Sequence, residues 1–241
     1  GGTSKNTVEI ADYLQNTLEV TALAHMTCVS STREEVAELL RGLKAKNIEN
    51  ILALRGDIPQ DADYPSPKHY KYATELIGDI KRAGGFCVGG ACYPEGHVES
   101  ENKENDIIYL KEKADAGCDF LVTQLFFDNN ILYNFLYRLF RANINIPVIA
   151  GIMPVTNKNQ IQRMTRLSGA TLTPKYKAML DKFEHSPDAL RQAGIAYAID
   201  QIADLISNGV RGIHIYTMNK PEIANSIMAG ISELIQVPNA Y

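Results

Sequence analysis

Short apolar runs of strand length alternate with segments of helical periodicity along the whole chain, and this alternation restricts the fold more than any other feature. A repeated order of strand and helix is typical of parallel sheets whose faces are covered by helices. Six strands are predicted, at residues 20–26, 51–54, 86–91, 120–127, 148–153 and 212–216. No linker interrupts the alternation, so we predict a single domain over residues 1–241.

Each predicted strand is followed by a predicted helix, and several of these helices carry local start or stop signals. Ser30, Ser31 and Thr32 are candidate caps for a helix whose apolar stripe reaches Leu43, and Gly84 and Gly85 close the next helix. The other helices are predicted at residues 4–16, 70–83, 104–116, 131–140, 158–167 and 221–235. Residues 174–183 and 187–208 form an additional helical insertion before the last strand.

The choice between two parallel architectures depends on motifs and on length. The first strand is not followed by G-x-G-x-x-G, and G-x-x-x-x-G-K-[ST] does not occur, so neither a dinucleotide-binding Rossmann fold nor a P-loop is supported. The 241 residues approach the roughly 250 of a (β/α)8 barrel. We therefore favour a TIM-type β/α barrel over an open doubly wound sheet.

Charge and cysteine content limit the partners that this chain can have. Lys and Arg number 24 against 28 Asp and Glu, and this net charge of -4 predicts no general attraction to nucleic acid or to an anionic membrane. No apolar run approaches the roughly 20 residues of a membrane span. The four cysteines form no C-x-x-C pair, which favours a reducing cytoplasm. Of the possible functions, chemistry on a small molecule is therefore favoured.

Polar residues cluster where the predicted strands end, which is the position of reactive groups in parallel α/β folds. Gln124 lies within an apolar strand and needs a hydrogen-bonding partner there. The other strand ends carry His25, Thr27, Arg55, Gly56, Asp57, Tyr93, Glu95, His97, Thr123, Pro154, Asn157, Thr217, Asn219 and Lys220. Singly, each has a structural explanation: a paired core histidine, an Arg-Asp turn or an exposed loop. Jointly, they favour a ligand site.

Two kinds of reactive centre are weakly supported. His25, Cys28, Cys92, His97 and His214 could converge on a metal, but their spacing lacks the tight pairs of known zinc sites, so no metal is predicted. A Cys-His nucleophile has even less support, because the spacing identifies no positioned partner.

Six motifs at these strand ends give the sequence a specific resemblance. They are His25-Met26-Thr27-Cys28, Leu54-Arg55-Gly56-Asp57, Tyr93-Pro94-Glu95-Gly96-His97, Thr123-Gln124-Leu125-Phe126-Phe127-Asp128, Gly151-Ile152-Met153-Pro154-Val155 and Tyr216-Thr217-Met218-Asn219. In this order the chain resembles the methylenetetrahydrofolate reductase family over essentially its whole length. The resemblance implies an eight-stranded β/α barrel with bound FAD. It also implies reduction of 5,10-methylenetetrahydrofolate to 5-methyltetrahydrofolate with electrons from NADH or NADPH.

The same resemblance implies a role for individual residues. Flavin contacts are expected at His25, Arg55, Gly56, Asp57, Ala73, Tyr93, His97, Asp106 and Lys113. Asp57 and Gln124 are the expected catalytic residues. The fixed negative charge of Asp57 beside the flavin would disfavour its anionic reduced form and stabilise a cationic substrate. Folate contacts are expected at Asp57, Gln124, Gln160 and Lys220. Lys220 stands where the family commonly has an arginine, so it keeps the charge and loses the bidentate fork.

The start of the chain departs from the family pattern. Gly1-Gly2-Thr3-Ser4 matches the loop after the family's second strand. The expectation is therefore a chain that carries barrel strands 3 to 8 and lacks the first two β/α units, with the general-acid glutamate among the missing residues. A truncated or non-catalytic barrel subunit that binds flavin, folate or a partner without turnover is the alternative function. A homo-oligomer or a partner reductase subunit is also expected.

Overall fold

A computed structural model describes residues 4–29, 31–56 and 69–237. Within them six strands are present: β1 (Leu23–Thr27), β2 (Asn50–Leu54), β3 (Cys87–Cys92), β4 (Phe120–Thr123), β5 (Val148–Ile152) and β6 (Gly212–Ile215). The strands belong to one sheet, in which their order follows the chain. β1 pairs with β2, β2 with β3 and β5 with β6, each in parallel. An α/β fold with a parallel sheet is thereby confirmed, and the closed eight-stranded barrel stays a prediction.

The helices in the described residues follow the predicted alternation. They are α1 (Ser4–Asp12), α2 (Arg33–Ala45), α3 (Ala73–Ala83), α4 (Lys103–Asp115), α5 (Asn129–Arg141), α6 (Lys158–Ser168), α7 (Pro174–Phe183), α8 (Pro187–Ser207) and α9 (Pro221–Ile231). The insertion predicted before the last strand is confirmed as α7 and α8. The first predicted helix changes from an α-helix to a π-helical turn over Tyr13–Thr17. The helix predicted at residues 70–83 begins only at Ala73, and the last helix ends at Ile231.

Local signals in the sequence explain where α2 begins. The Thr32 hydroxyl accepts a hydrogen bond from the Glu35 backbone N–H (3.3 Å), and the Glu35 carboxylate accepts one from the Thr32 N–H (2.7 Å). This reciprocal capping box satisfies backbone donors that a helix start leaves unpaired. Val36, Leu39, Leu40 and Leu43 then form the buried side of the helix.

Contacts divide the chain into two units, residues 1–91 with 108–121 and residues 92–107 with 122–241. The prediction of a single domain stays a prediction. In the first unit the strand register places Ala24 beside Ile51 and Ile51 beside Val88, and all three are buried. Ile77 of α3 packs against this row of residues near Gly90. Because side chains alternate along a strand, His25, Leu52 and Gly89 form a row on the other face.

In the second unit, helices α7 and α8 pack on the segments that follow β4 and β5. The buried cluster there comprises Leu125, Phe127, Met153, Val155, Ile161, Ala170, Tyr176, Leu180 and Leu190. Gly194 of α8 lies directly on the β5 loop, because an added Cβ would stand 1.7 Å from the Val155 carbonyl oxygen. The predicted strand 120–127 therefore ends early, at Thr123, since the apolar residues after it pack under these helices.

No helix within the described residues combines the length and the apolar character that a membrane span requires.

Candidate functional site

His25 lies on the sheet face opposite the helices of the first unit. The residue is exposed, and Leu52 is its partner on β2. Neighbouring protein atoms nevertheless lower the pKa of His25 by desolvating its charged form. The sequence left open whether His25 is a paired core histidine, and its exposure argues against that explanation. A neutral imidazole at this place can donate or accept a hydrogen bond.

The ends of β1 and β2 continue side by side into their loops. The Cys28 N–H donates to the Leu54 carbonyl (3.0 Å) and the Val29 N–H to the Arg55 carbonyl (3.1 Å). Gly56 follows with φ +82°, and an added Cβ would stand 2.5 Å from Val29 Cγ2, so glycine is required here. The half-buried Arg55 is held at this strand end. Asp57, the residue with most roles in the sequence-based prediction, lies outside the described residues.

Lys113 and Ala73 are the remaining predicted flavin contacts of the first unit. The Lys113 ammonium donates to the Ala91 carbonyl oxygen near the end of β3 (2.8 Å), and its side chain passes over Gly90. Lys113 thus brings a positive charge from α4 to a strand end. Ala73 is the buried first residue of α3, where helix N–H groups have no intrahelical partner.

Three predicted flavin contacts lie in the second unit, after β3. The rings of Tyr93 and His97 meet edge to face, with 4.5 Å between their centroids. Asp106, in the first turn of α4, is 7% exposed and accepts a hydrogen bond from the Ser100 hydroxyl (3.2 Å). A carboxylate has more acceptor positions than this one bond uses, and these suit a hydroxyl-bearing ligand.

Gln124 is the residue for which the structure changes the sequence-based interpretation. It does not lie within a strand, because β4 ends at Thr123, and it is half-buried. Its N–H donates to the Cys92 carbonyl (2.7 Å), and its side-chain oxygen accepts from the Leu125 N–H (2.9 Å). The side chain of Gln124 is therefore anchored at the strand end through its amide oxygen.

Sequence reasoning missed how Tyr216 supports this strand end. Its hydroxyl donates to the Thr123 carbonyl oxygen (2.8 Å), and the Thr123 hydroxyl accepts from the Gly151 N–H (2.8 Å). Gly151 leaves room for the Tyr216 ring to cross β5. Burial raises the pKa of Tyr216 to about 12, with Cys92 and Tyr93 as smaller contributions. A glycine inside an apolar strand was the available signal, because such a glycine often marks a close approach.

Gln160 and Lys220 are placed at one loop, the segment after β5. The Asn157 side chain caps α6 by accepting from the Gln160 N–H (3.1 Å), and the Lys220 ammonium donates to the Thr156 hydroxyl (3.4 Å). Both Gln160 and Lys220 are half-buried. Gln160 and Lys220, which are predicted to contact folate together with Gln124, therefore lie at the same loop of the second unit.

Two buried cysteines, Cys28 and Cys118, are poor nucleophiles because their thiols ionise less readily than a free cysteine. Burial raises the pKa of Cys28 to about 12 and that of Cys118 to about 11, so both thiols stay protonated at neutral pH. In the part of the chain that the structure describes, no group of three or more His, Cys, Asp or Glu side chains is arranged to hold a metal ion.

Comparisons with known proteins identify the family that the chain is similar to. The family model described as methylenetetrahydrofolate reductase matches residues 1–232. A 5,10-methylenetetrahydrofolate reductase of Pectobacterium carotovorum subsp. carotovorum is 31% identical over 226 residues, which cover 94% of this chain and 74% of that protein. A methylenetetrahydrofolate reductase (NADH) 1 of Zea mays is 33% identical over 244 residues, and the match covers 96% of this chain and 41% of the plant protein.

One solved structure extends the comparison to the fold. An uncharacterized protein from Clostridium thermocellum, described as binding two copies of 5-methyl-5,6,7,8-tetrahydrofolic acid, superposes with a TM-score of 0.65. The match covers 93% of this chain and 78% of that chain, at 15% sequence identity. At this identity the similarity concerns the fold.

Proposed function

The chain belongs to the methylenetetrahydrofolate reductase family, and from this membership we propose that the protein reduces 5,10-methylenetetrahydrofolate to 5-methyltetrahydrofolate, with FAD as cofactor and NADH or NADPH as electron donor. The observation that carries the proposal is the family match over residues 1–232. Relatives that bear the corresponding enzyme name support it, one of them with NADH in its name.

Each unit, taken by itself, offers groups that suit parts of FAD. In the first unit, Arg55 and the Lys113 ammonium beside Ala91 supply positive charge for a diphosphate. In the second unit, the buried Asp106 carboxylate suits ribose or ribityl hydroxyls, and Tyr93 and His97 offer aromatic surface to a planar ring. His25, Gly56 and Ala73 complete the proposed contacts, together with Asp57 outside the described residues.

Folate is assigned to three residues of the second unit. Gln124 presents an amide that can bond the pterin, and the Tyr216 hydroxyl holds the neighbouring Thr123 carbonyl. Gln160 and Lys220 flank the loop after β5, where Lys220 supplies a positive charge for the glutamate carboxylate of folate. Asp57 is proposed as the further pterin contact.

The proposed reaction balances as a two-electron reduction with one proton. A hydride equivalent reaches the methylene carbon, the bond between this carbon and N10 breaks, and N10 takes up a proton. FAD, when bound, supplies the transfer of two electrons from the nicotinamide to the folate. Gln124 orients the pterin for this step, and Lys220 holds the opposite end of the substrate. Fixing both ends removes translational and rotational freedom before reaction.

Anaerobic absorption spectroscopy of the purified protein tests the proposal. The expected result is an oxidised flavin spectrum that NADH or NADPH bleaches and that methylenetetrahydrofolate restores. Lys220→Gln should raise the KM for folate by about tenfold, because a charged hydrogen bond to the carboxylate is lost. Lys177→Gln, which removes an exposed lysine of α7, is the matched control and should leave the KM unchanged.

Three results would contradict the proposal. A protein that takes up no FAD does not have the proposed cofactor. A flavin that the nicotinamide bleaches and the folate does not restore fits binding without turnover. Equal KM values for Lys220→Gln and the control remove Lys220 from the folate site. A cytoplasmic location and assembly as a homo-oligomer or with a partner reductase subunit stay predictions.

A further inference from the structure

Glu95 lies in the β3–α4 loop (residues 93–102), between Tyr93 and His97, and the proposed reaction gives it no task. Its two carboxylate oxygens both bind Thr171, a residue 76 positions later in the chain. We propose that Glu95 is a positioning residue that holds the β3–α4 loop in the shape required for flavin binding. The inference rests on the proposed function, because Tyr93 and His97 are assigned there to FAD.

The contact between Glu95 and Thr171 consists of two hydrogen bonds, one to each carboxylate oxygen. The Thr171 N–H donates to Glu95 Oε1 (2.8 Å), and the Thr171 hydroxyl donates to Glu95 Oε2 (2.6 Å). Hydrogen bonds to an ionised carboxylate are shorter and stronger than those between neutral groups. Two parallel bonds also fix the direction of the carboxylate, which a single bond would leave free to rotate.

Further contacts of the second unit hold the same loop on either side of Glu95. The Arg138 guanidinium donates to the Pro94 carbonyl oxygen (3.0 Å). Val98 packs on Gly169, where an added Cβ would stand 2.9 Å from Val98 Cγ1. The segment between α6 and α7, which contains Gly169 and Thr171, is therefore the surface against which the loop is fixed.

The geometry of the loop transmits this anchor to the two aromatic residues. Gly96, with φ +95°, closes a turn in which its N–H donates to the Tyr93 carbonyl oxygen (2.9 Å). Tyr93 and His97 stand on either side of the turn, and their rings pack edge to face at 4.5 Å. A displacement of Glu95 moves the turn that both rings share. Holding Glu95 therefore orients both proposed flavin contacts at once.

The test uses Glu95→Gln and Thr171→Val, each of which removes part of the contact without changing the shape of the side chain much. Thr171→Ser keeps the hydroxyl and is the conservative rescue. Thr165→Val is the matched control, because the Thr165 hydroxyl bonds only carbonyl oxygens of its own helix, those of Ile161 and Gln162. Two quantities are measured: amide hydrogen exchange of residues 95–100 in the flavin-free protein, and the Kd for FAD.

We expect Glu95→Gln and Thr171→Val each to speed amide exchange and to raise the Kd for FAD by about tenfold. Thr171→Ser and Thr165→Val should resemble the wild type in both quantities. The double variant Glu95→Gln/Thr171→Val should raise the Kd for FAD by less than the product of the two single effects, because both changes act on the same contact.

The two readouts separate the failure of this inference from the failure of the proposed function. Unchanged amide exchange in both variants overturns the anchor itself. Faster exchange with an unchanged Kd for FAD overturns its role in positioning the flavin contacts. A wild-type protein that binds no FAD overturns the proposed function and the flavin role of the loop together, and amide exchange alone then decides whether the anchor exists.

Discussion

Replacing Gly151 with alanine places a methyl group where β5 has room for a hydrogen atom only. The added Cβ would stand 2.4 Å from the Thr123 carbonyl oxygen, 2.7 Å from Tyr216 Cε2 and 3.0 Å from the Tyr216 hydroxyl oxygen. The carbonyl belongs to the backbone of β4 and cannot turn away, so the Tyr216 ring must move and the strands must separate locally.

The magnitude follows from the two consequences of Gly151→Ala. Overpacking of a tight interior typically destabilises by about 1–3 kcal/mol. Displacement of the ring also breaks the hydrogen bond from the Tyr216 hydroxyl to the Thr123 carbonyl (2.8 Å), and such a bond contributes about 0.5–1.5 kcal/mol. We expect the free energy of unfolding to fall by about 1.5–4.5 kcal/mol in total.

Urea denaturation of the purified variants measures this change. Gly42→Ala is the matched control: the added Cβ would lie 3.7 Å from Val8 in ordinary contact, and alanine in the middle of α2 should stabilise by about 0.5–1 kcal/mol. Tyr216→Phe combined with Gly151→Ala should lose less than the sum of the single changes, because Gly151→Ala already breaks the hydroxyl bond. A Gly151→Ala protein as stable as the wild type would refute the close approach.

Two further predictions concern the start of α2 and the pH dependence of stability. Thr32→Ala should lower the free energy of unfolding by about 1 kcal/mol through loss of the capping box, whereas Thr32→Ser should keep most of it; chemical denaturation measures both, and equal losses would contradict the cap. Tyr216, with its pKa raised to about 12 by burial, favours the protonated form in the folded state. The contribution of this raised pKa to the free energy of unfolding is complete below about pH 10 and is lost as the pH rises to about 12, by up to ~1.4 kcal/mol per pH unit. Phenylalanine does not ionise, so the difference in stability between the wild type and Tyr216→Phe should narrow over that interval. A constant difference between the two proteins would argue against this shift.

Much of the fold could be predicted because the sequence encodes it locally. Thr32 and Glu35 form the reciprocal cap of α2. Gly84 ends α3, as the Gly84-Gly85 pair in the sequence predicted. The order of strands and helices follows from apolar periodicity, which each segment expresses independently of the others. The helical insertion of α7 and α8 was equally visible, because Pro174 and Pro187 both stand at helix starts.

The end of β4 could not be predicted from the same signals. Residues 120–127 form one continuous apolar run, and such a run does not show where a strand gives way to another buried segment. Leu125 and Phe127 leave the sheet and pack with Tyr176 and Leu190 of the inserted helices. Gln124 consequently stands at the strand end, half-buried, and its amide has a local backbone partner.

The sequence by itself determined the family, the alternation of strands and helices, and the identity of the polar residues at the strand ends. It did so because motifs and periodicity depend on short stretches of chain. Only the tertiary structure decided which of these residues support one another. Tyr216 holds Thr123 across Gly151, and Glu95 holds Thr171, because packing brings together groups that are 93 and 76 residues apart in the chain.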